Sequence, residues 1–269
     1  MTTSSAPETS PAGTSAGRYA PAPGAAPVGR MLLAQTVLET RMLLRNGEQL
    51  LLTVVIPTVL LVLFSAVDVV ATSGPGKRVD FLAPGLLALA VMSTAFTGQA
   101  IATGFERRYG VLKRLGASPL PRWALLAAKT GCVLVTEVLQ VALLSVIALA
   151  LGWSPHGDPF SVAALLVLGT AAFSGLGLLM AGTLRAEATL AGANLVFILL
   201  LLGGGVVVPL EKFPSAVRGV LELLPISALS DGLRAVLQHG AALPWGDLGV
   251  LAVWAVLGLA AAARFFRWE

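Results

Sequence analysis

The stretch FERRYGVLKRLGASPLPRW (residues 105–123) lies between two long apolar runs and carries five of the chain's 18 basic residues. Residues 109–115 have helical spacing, with Val111, Leu112 and Leu115 on one face and Arg107, Lys113 and Arg114 toward water. Pro119 and Pro121 end the helix, because proline lacks the amide donor and clashes with the preceding turn. Two readings fit a charged helix bounded so sharply. It is a basic loop that fixes topology, or it is a surface offered to a water-soluble partner.

The rest of the chain sets the class. Of its 269 residues 56% are hydrophobic and 12% charged, the latter about half the share usual in soluble domains. This composition predicts an all-α integral membrane protein. The net charge of +4 fits bases gathered on the cytoplasmic side of a bilayer. Nucleic acid is excluded as a partner, since no basic stripe with interleaved aromatics is present.

A bilayer core about 30 Å thick takes roughly 20 apolar residues as helix. Six runs qualify: 50–70 with Pro57 as a kink, 81–103, 125–151, 160–183, 189–208, and 248–263, the last extendable to Trp245. Runs of this length must be helical, since backbone groups in lipid are satisfied only within the segment. Residues 1–28, rich in Pro, Ala, Ser and Thr, read as a disordered cytoplasmic tail, leaving 29–269 as one six-helix transmembrane domain. Residues 29–49 read as an amphipathic helix in the membrane interface.

Thirteen bases fall on one side of this topology and five on the other, so both termini are expected in the cytoplasm of a cell whose plasma membrane the chain crosses. Lys129, near the inner end of the third run, is counted among the thirteen. Trp123, Trp153, Trp245 and Trp268 fall at span ends, where interfacial indoles are expected. The segment 209–240, broken by Pro214 and Pro225, is too short for two spans. It reads as a re-entrant hairpin in the outer leaflet or as two helices flat on the outer surface.

Polar groups within spans are few. Glu137 and Gln140 lie one turn apart in the third span, and Asn194 lies in the fifth. Each is a substrate or proton contact, or a hydrogen bond between helices, and the second reading is preferred. Small residues between 169 and 182 permit close helix packing. Gly203, Gly204 and Gly205 are a flexible exit or a packed one. Cys132, His156 and His239 have no companions at metal-ligand spacing, so no metal site is expected.

At this point the sequence resembles a known family. ERRYGVLKRLGASPLPRWALLAAK is similar to the cytoplasmic loop of type 2 ATP-binding-cassette (ABC) exporter permeases, through Glu106, Gly110, Leu112, Arg114, Leu115, Ala117, Ser118, Pro119 and Leu120. GGGVVVPLEKFPSAVRGVLELLPISALSDGLRAVLQHG (203–240) is similar to the family's fifth-span exit, through Pro209, Pro214, Pro225, Asp231, Arg234 and Gly240. The resemblance runs from about Gly29 onward, and the daunorubicin-resistance type of drug and antibiotic efflux permease is most alike.

It implies a transport subunit rather than an enzyme. Two copies of a separate ATPase would bind ATP and magnesium, and the chain itself would hold no cofactor. A coupling helix, with Glu106, Arg107, Tyr109, Gly110, Leu112, Lys113, Arg114 and Leu115, would seat in the ATPase. Pro209, Pro214, Pro225, Asp231 and Arg234 would form an outer gate, and the permease would be a homodimer or a pair. One departure stands out: Arg108 occupies a place where many members carry a second acid. The nearest approach to a P-loop, ATSGPGKR (71–78), has Ala71 for its first Gly and Arg78 for the magnesium-binding Ser or Thr. Competing readings are a stand-alone secondary transporter, or an ABC exporter of lipid or polysaccharide.

Overall fold

A computed structural model describes residues 26–66, 78–116, 119–206 and 210–267. The described residues are helical, with no strand among them. Five helical stretches are long and apolar enough to cross a membrane: Arg78–Arg108, Trp123–Ala150, Pro159–Thr183, Ala186–Gly203 and Trp245–Phe265. The first predicted span falls in a further apolar helix, α2 (Gly47–Ala66, 20 residues), with Pro57 inside it. Residues 67–70 of that span, and residues 1–25 of the predicted tail, lie outside the described residues.

The centre of the bundle is a single rod. It consists of α3 (Arg78–Val91), a π-helical segment (Met92–Gly98) and α4 (Gln99–Arg108). In its most apolar window 83% of residues are buried, against 17% for α8 (Ala186–Gly203), so α8 presents most of its surface outward. Against the rod stand α2, α6 (Arg122–Ala150), α7 (Pro159–Thr183) and α8, and α11 (Trp245–Phe265) packs on the far side of α7. Phe173, Leu82, Met92, Leu165, Leu229 and Leu251 fill the space between them.

Small residues decide the tightest contact, that of α7 with α11. A β-carbon on Gly175 would lie 2.7 Å from the Gly258 carbonyl carbon and 2.6 Å from the Leu259 nitrogen. The backbones therefore touch, as small-residue seams allow in lipid. Asp158 starts α7 by accepting the Ser161 amide at 3.0 Å, with Pro159 at the first helical position.

At one end of the bundle α9 (Ser215–Leu221) is exposed on the rim. Next comes α10 (Pro225–Leu237), which begins on Pro225 and has 11 of its 13 residues buried among α3, α7 and α11. At about 20 Å it is too short to cross. α10 is thus enclosed by neighbouring helices, while α9 stays exposed. The three glycines at the end of α8 are packed: Gly205 has φ +67°, and a β-carbon on Gly204 would meet Ile226 at 2.3 Å. Gly205 supplies a left-handed turn that other residues resist.

Two tryptophans behave as expected and one does not. Trp123 and Trp245 are exposed at helix ends, whereas Trp153 is 6% exposed and packs in the core with Leu61, Leu144 and Ala148. The sequence marks a span end, but tertiary packing folds this indole inward. Trp268 lies outside the described residues.

Candidate functional site

The rod ends where the sequence is most charged. Tyr109 closes α4, and Gly110 follows with φ +69°, the left-handed conformation that reverses a helix end. α5 (Val111–Gly116) then leads to Pro121 and the start of α6. Replacing Gly110 by Val should loosen this turn by about 1 kcal/mol, since a β-branched residue resists that conformation. Limited trypsin digestion at Arg107, Arg108, Lys113 and Arg114 should then be faster. An unchanged digestion rate would show that the turn tolerates the side chain.

The two faces of α5 are unequal. Leu112 is fully buried against Leu125 and Phe266, with Leu115, Leu120 and Leu126 around them. This corrects the expectation that Leu112 faces a partner: it anchors α5 to its own chain. Tyr109, Val111, Lys113 and Arg114 are the exposed residues.

Arg107 also turns inward. Its guanidinium donates to the Gly182 carbonyl at 2.6 Å and to the Leu184 carbonyl, satisfying acceptors that the end of α7 leaves open. Arg108 pairs with Glu187 at the start of α8, both side chains being half exposed. The residue that departs from the family pattern therefore has an internal partner. Together the two arginines tie the end of α4 to the α7–α8 connection.

Behind the turn lies a buried ion cluster. Lys129, 5% exposed, places its Nζ 2.5 Å from Glu106 Oε2 and 3.4 Å from Glu39 Oε1. It lies within α6, inside the bundle rather than on its inner surface. An ammonium in an apolar helix is tolerated only when paired, and here it draws three elements together. α1 (Val28–Arg45) supplies Glu39 from a face that also sends the Thr36 hydroxyl to the Ala128 carbonyl at 3.4 Å. The opposite face exposes Leu33, Val37, Leu38 and Met42. Burial pushes the Glu39 carboxyl up from its ordinary pKa, against the pull of Lys129.

The intramembrane polar residues serve different ends. Glu137, buried, accepts the Thr170 hydroxyl of α7 through Oε2. Gln140 accepts the Thr94 hydroxyl of the π segment at 3.0 Å. Both are bonds between elements, and the second pins the rod at a place where π-helical geometry recurs in functional sites. Asn194 is different: it donates to Leu190 of its own helix at 2.9 Å and is exposed. The preferred reading as a bond between helices is corrected: the bond that the amide forms goes to a carbonyl of its own helix.

Asn194 lines a cavity of about 660 Å³ between α2, the rod and α8. Ile56, Pro57, Leu60, Ile101, Phe197 and Leu201 make its apolar walls, while Ser93 and Thr97 add hydroxyls. At the far end of the bundle Arg234 is buried and bonds the Val206 carbonyl at 2.7 Å and Asp231 at 3.1 Å. Its guanidinium lies 4.0 Å from the Phe81 ring centre. Pro214 and Pro225 precede and begin α9 and α10, and Pro209 lies outside the described residues. Among the described residues no three His, Cys, Asp or Glu side chains gather as a metal site.

A helical bundle with several membrane-length helices, a charged turn at one end and an enclosed short helix at the other matches one family by sequence. The ABC-2 type transporter family covers residues 32–237, from α1 to the end of α10, and the chain belongs to it. Its members are non-catalytic membrane subunits that work with ABC ATPase subunits. Among named proteins the chain is similar to "Putative transport permease YvfS" of Bacillus subtilis (strain 168). The two are 26% identical over 238 residues, which cover 84% of this chain and 93% of YvfS.

Proposed function

We propose that the chain is the permease of an ABC exporter for hydrophobic compounds, with six spans, both termini in the cytoplasm and the α4–α5 turn as its contact with the ATPase. It works as a homodimer or a permease pair with two ATPase copies. The observation that carries this reading is the pairing of a large apolar cavity with the rod that walls it, whose end is the exposed turn. Family membership supplies the ATPase, and the name of YvfS is that of a transport permease. Drug or antibiotic cargo follows from the resemblance to efflux permeases and from the apolar walls. α10 is the re-entrant element, and Asp231 and Arg234 belong to the outer gate.

The burial of Leu112 decides how the contact is tested. Tyr109, Val111 and Arg114 are exposed, so Tyr109→Ala with Val111→Asp and Arg114→Glu should abolish co-purification of the ATPase at unchanged permease yield. Exposed anchors carry most of the energy at such contacts. Leu112→Asp should instead lower the yield itself. Full ATPase recovery with the triple variant would remove the turn from the mechanism. Susceptibility profiling of a deletion strain against a compound panel tests the cargo assignment, and an unchanged profile would count against drug efflux.

A further inference from the structure

The Lys129 cluster opens onto a second, polar cavity of about 230 Å³ between α1, α4 and α6. Gln99 lines it, is 5% exposed, and has no hydrogen-bond partner on either amide atom. Buried amides are nearly always satisfied, so one unpartnered at both atoms points to a group that binds there.

The lining says which group. Glu39 and Glu106 supply two carboxyls against one ammonium. Thr94 and Thr136 also line this cavity, yet both hydroxyl protons are committed elsewhere, to Gln140 at 3.0 Å and to the Cys132 carbonyl at 2.9 Å. Toward the cavity they offer lone pairs alone. Asn46, Gln99 and Lys129 bring donors to the same wall, but two carboxyls against one ammonium leave an excess of negative charge, which suits a positively charged donor above others. An anionic head would meet the carboxylates that already neutralise Lys129.

The polar cavity adjoins the apolar one across the rod. Asn46, Gly98 and Ala102 line both. The two small residues on the rod keep the partition between the chambers thin.

We infer that the two cavities form one site for an amphiphile with a primary ammonium head, gripped by Glu39, Glu106 and the Gln99 amide, and with its chain between α2, the rod and α8. The inference deepens the export reading and rests on it for the occupant as cargo. A membrane aminophospholipid carries the same chemistry.

The test uses the full chain in phosphatidylcholine nanodiscs, with radiolabelled dodecylamine and dodecanol as probes and empty nanodiscs as background. Dodecylamine should bind saturably and roughly tenfold more tightly than dodecanol, the size of one charge-assisted hydrogen bond. Gln99→Leu should shrink that preference, and Gln99→Glu should widen it. Misfolding cannot produce opposite signs. Equal binding of the two probes, or a preference that neither variant alters, overturns the inference. Nanodiscs that also contain phosphatidylethanolamine separate the sources: displacement of dodecylamine assigns the site to lipid, and undiminished binding assigns it to an amine-bearing cargo. Equal probe binding with the ATPase still co-purifying would sink this inference alone. Loss of the ATPase contact would strike the export reading instead.

Discussion

Replacing Lys129 by Met should cost the folded permease about 3–5 kcal/mol, the penalty of leaving buried carboxylates without their counter-charge. Glu39 retains 10% side-chain exposure and Glu106 27%, so the penalty falls mainly on Glu39. The readout is thermal unfolding and monodispersity in detergent. Adding Glu39→Gln and Glu106→Gln to Lys129→Met should recover part of the loss, because the cost lies in uncompensated charge rather than in a missing methylene. The deficit should also depend on pH. The Glu39 carboxyl already titrates above its ordinary value because burial raises it, and loss of the ammonium raises it further. A carboxyl whose folded pKa exceeds its unfolded one binds more protons when folded, so stability falls as pH rises between the two values. The variant should therefore lose most at about pH 8 and least at about pH 5. A Lys129→Met protein with wild-type yield and midpoint would show that the cluster does not hold α1, α4 and α6 together.

The second large effect is expected at Gly175. Its neighbours across the α7–α11 seam are backbone atoms at 2.6 and 2.7 Å from where a β-carbon would stand. Backbone cannot rotate away as a side chain can, so Gly175→Leu must push the two helices apart. The expected cost is about 3 kcal/mol or more, read as lost yield or early aggregation on size-exclusion chromatography. Gly246 in the first turn of α11 is the control, since an added β-carbon there meets nothing within 4 Å. Gly246→Ala should leave stability unchanged or raise it by up to about 1 kcal/mol. Equal behaviour of the two variants would mean that the α7–α11 contact is not limited by side-chain volume.

Much of the architecture is legible because a bilayer imposes length. The runs 125–151 and 160–183 become Arg122–Ala150 and Pro159–Thr183, nearly residue for residue. The break at Gly110 is not legible: the spacing runs one helix through 109–115, whereas Tyr109 caps α4 and Gly110 turns at φ +69° before α5 begins at Val111. What escapes is anything that depends on which residues meet. Lys129 reads as one more base near a span end, and only the fold brings it to Glu39 and Glu106. Leu112 and Leu115 share a face in the pattern, but periodicity cannot say whether that face meets a partner or Phe266 at the other end of the chain. Arg234 is bound largely by backbone carbonyls, which carry no sequence signature. The π segment has none either. The polar cavity could have been suspected from Gln99, an amide within a predicted span that the list of intramembrane candidates omits.

The rod from Arg78 to Arg108 is about 46 Å long at helical rise. It is clamped at one extremity by Arg234 on Phe81 and at the other by Arg107 and Glu106. Such a beam needs no relay of side chains to report displacement, because tilting one tip moves the opposite tip through leverage. Its compliant point is the wide-pitched coil at Met92–Gly98, where the i to i−4 ladder is interrupted. Strain applied at either extremity therefore concentrates beside the wall shared by the two chambers.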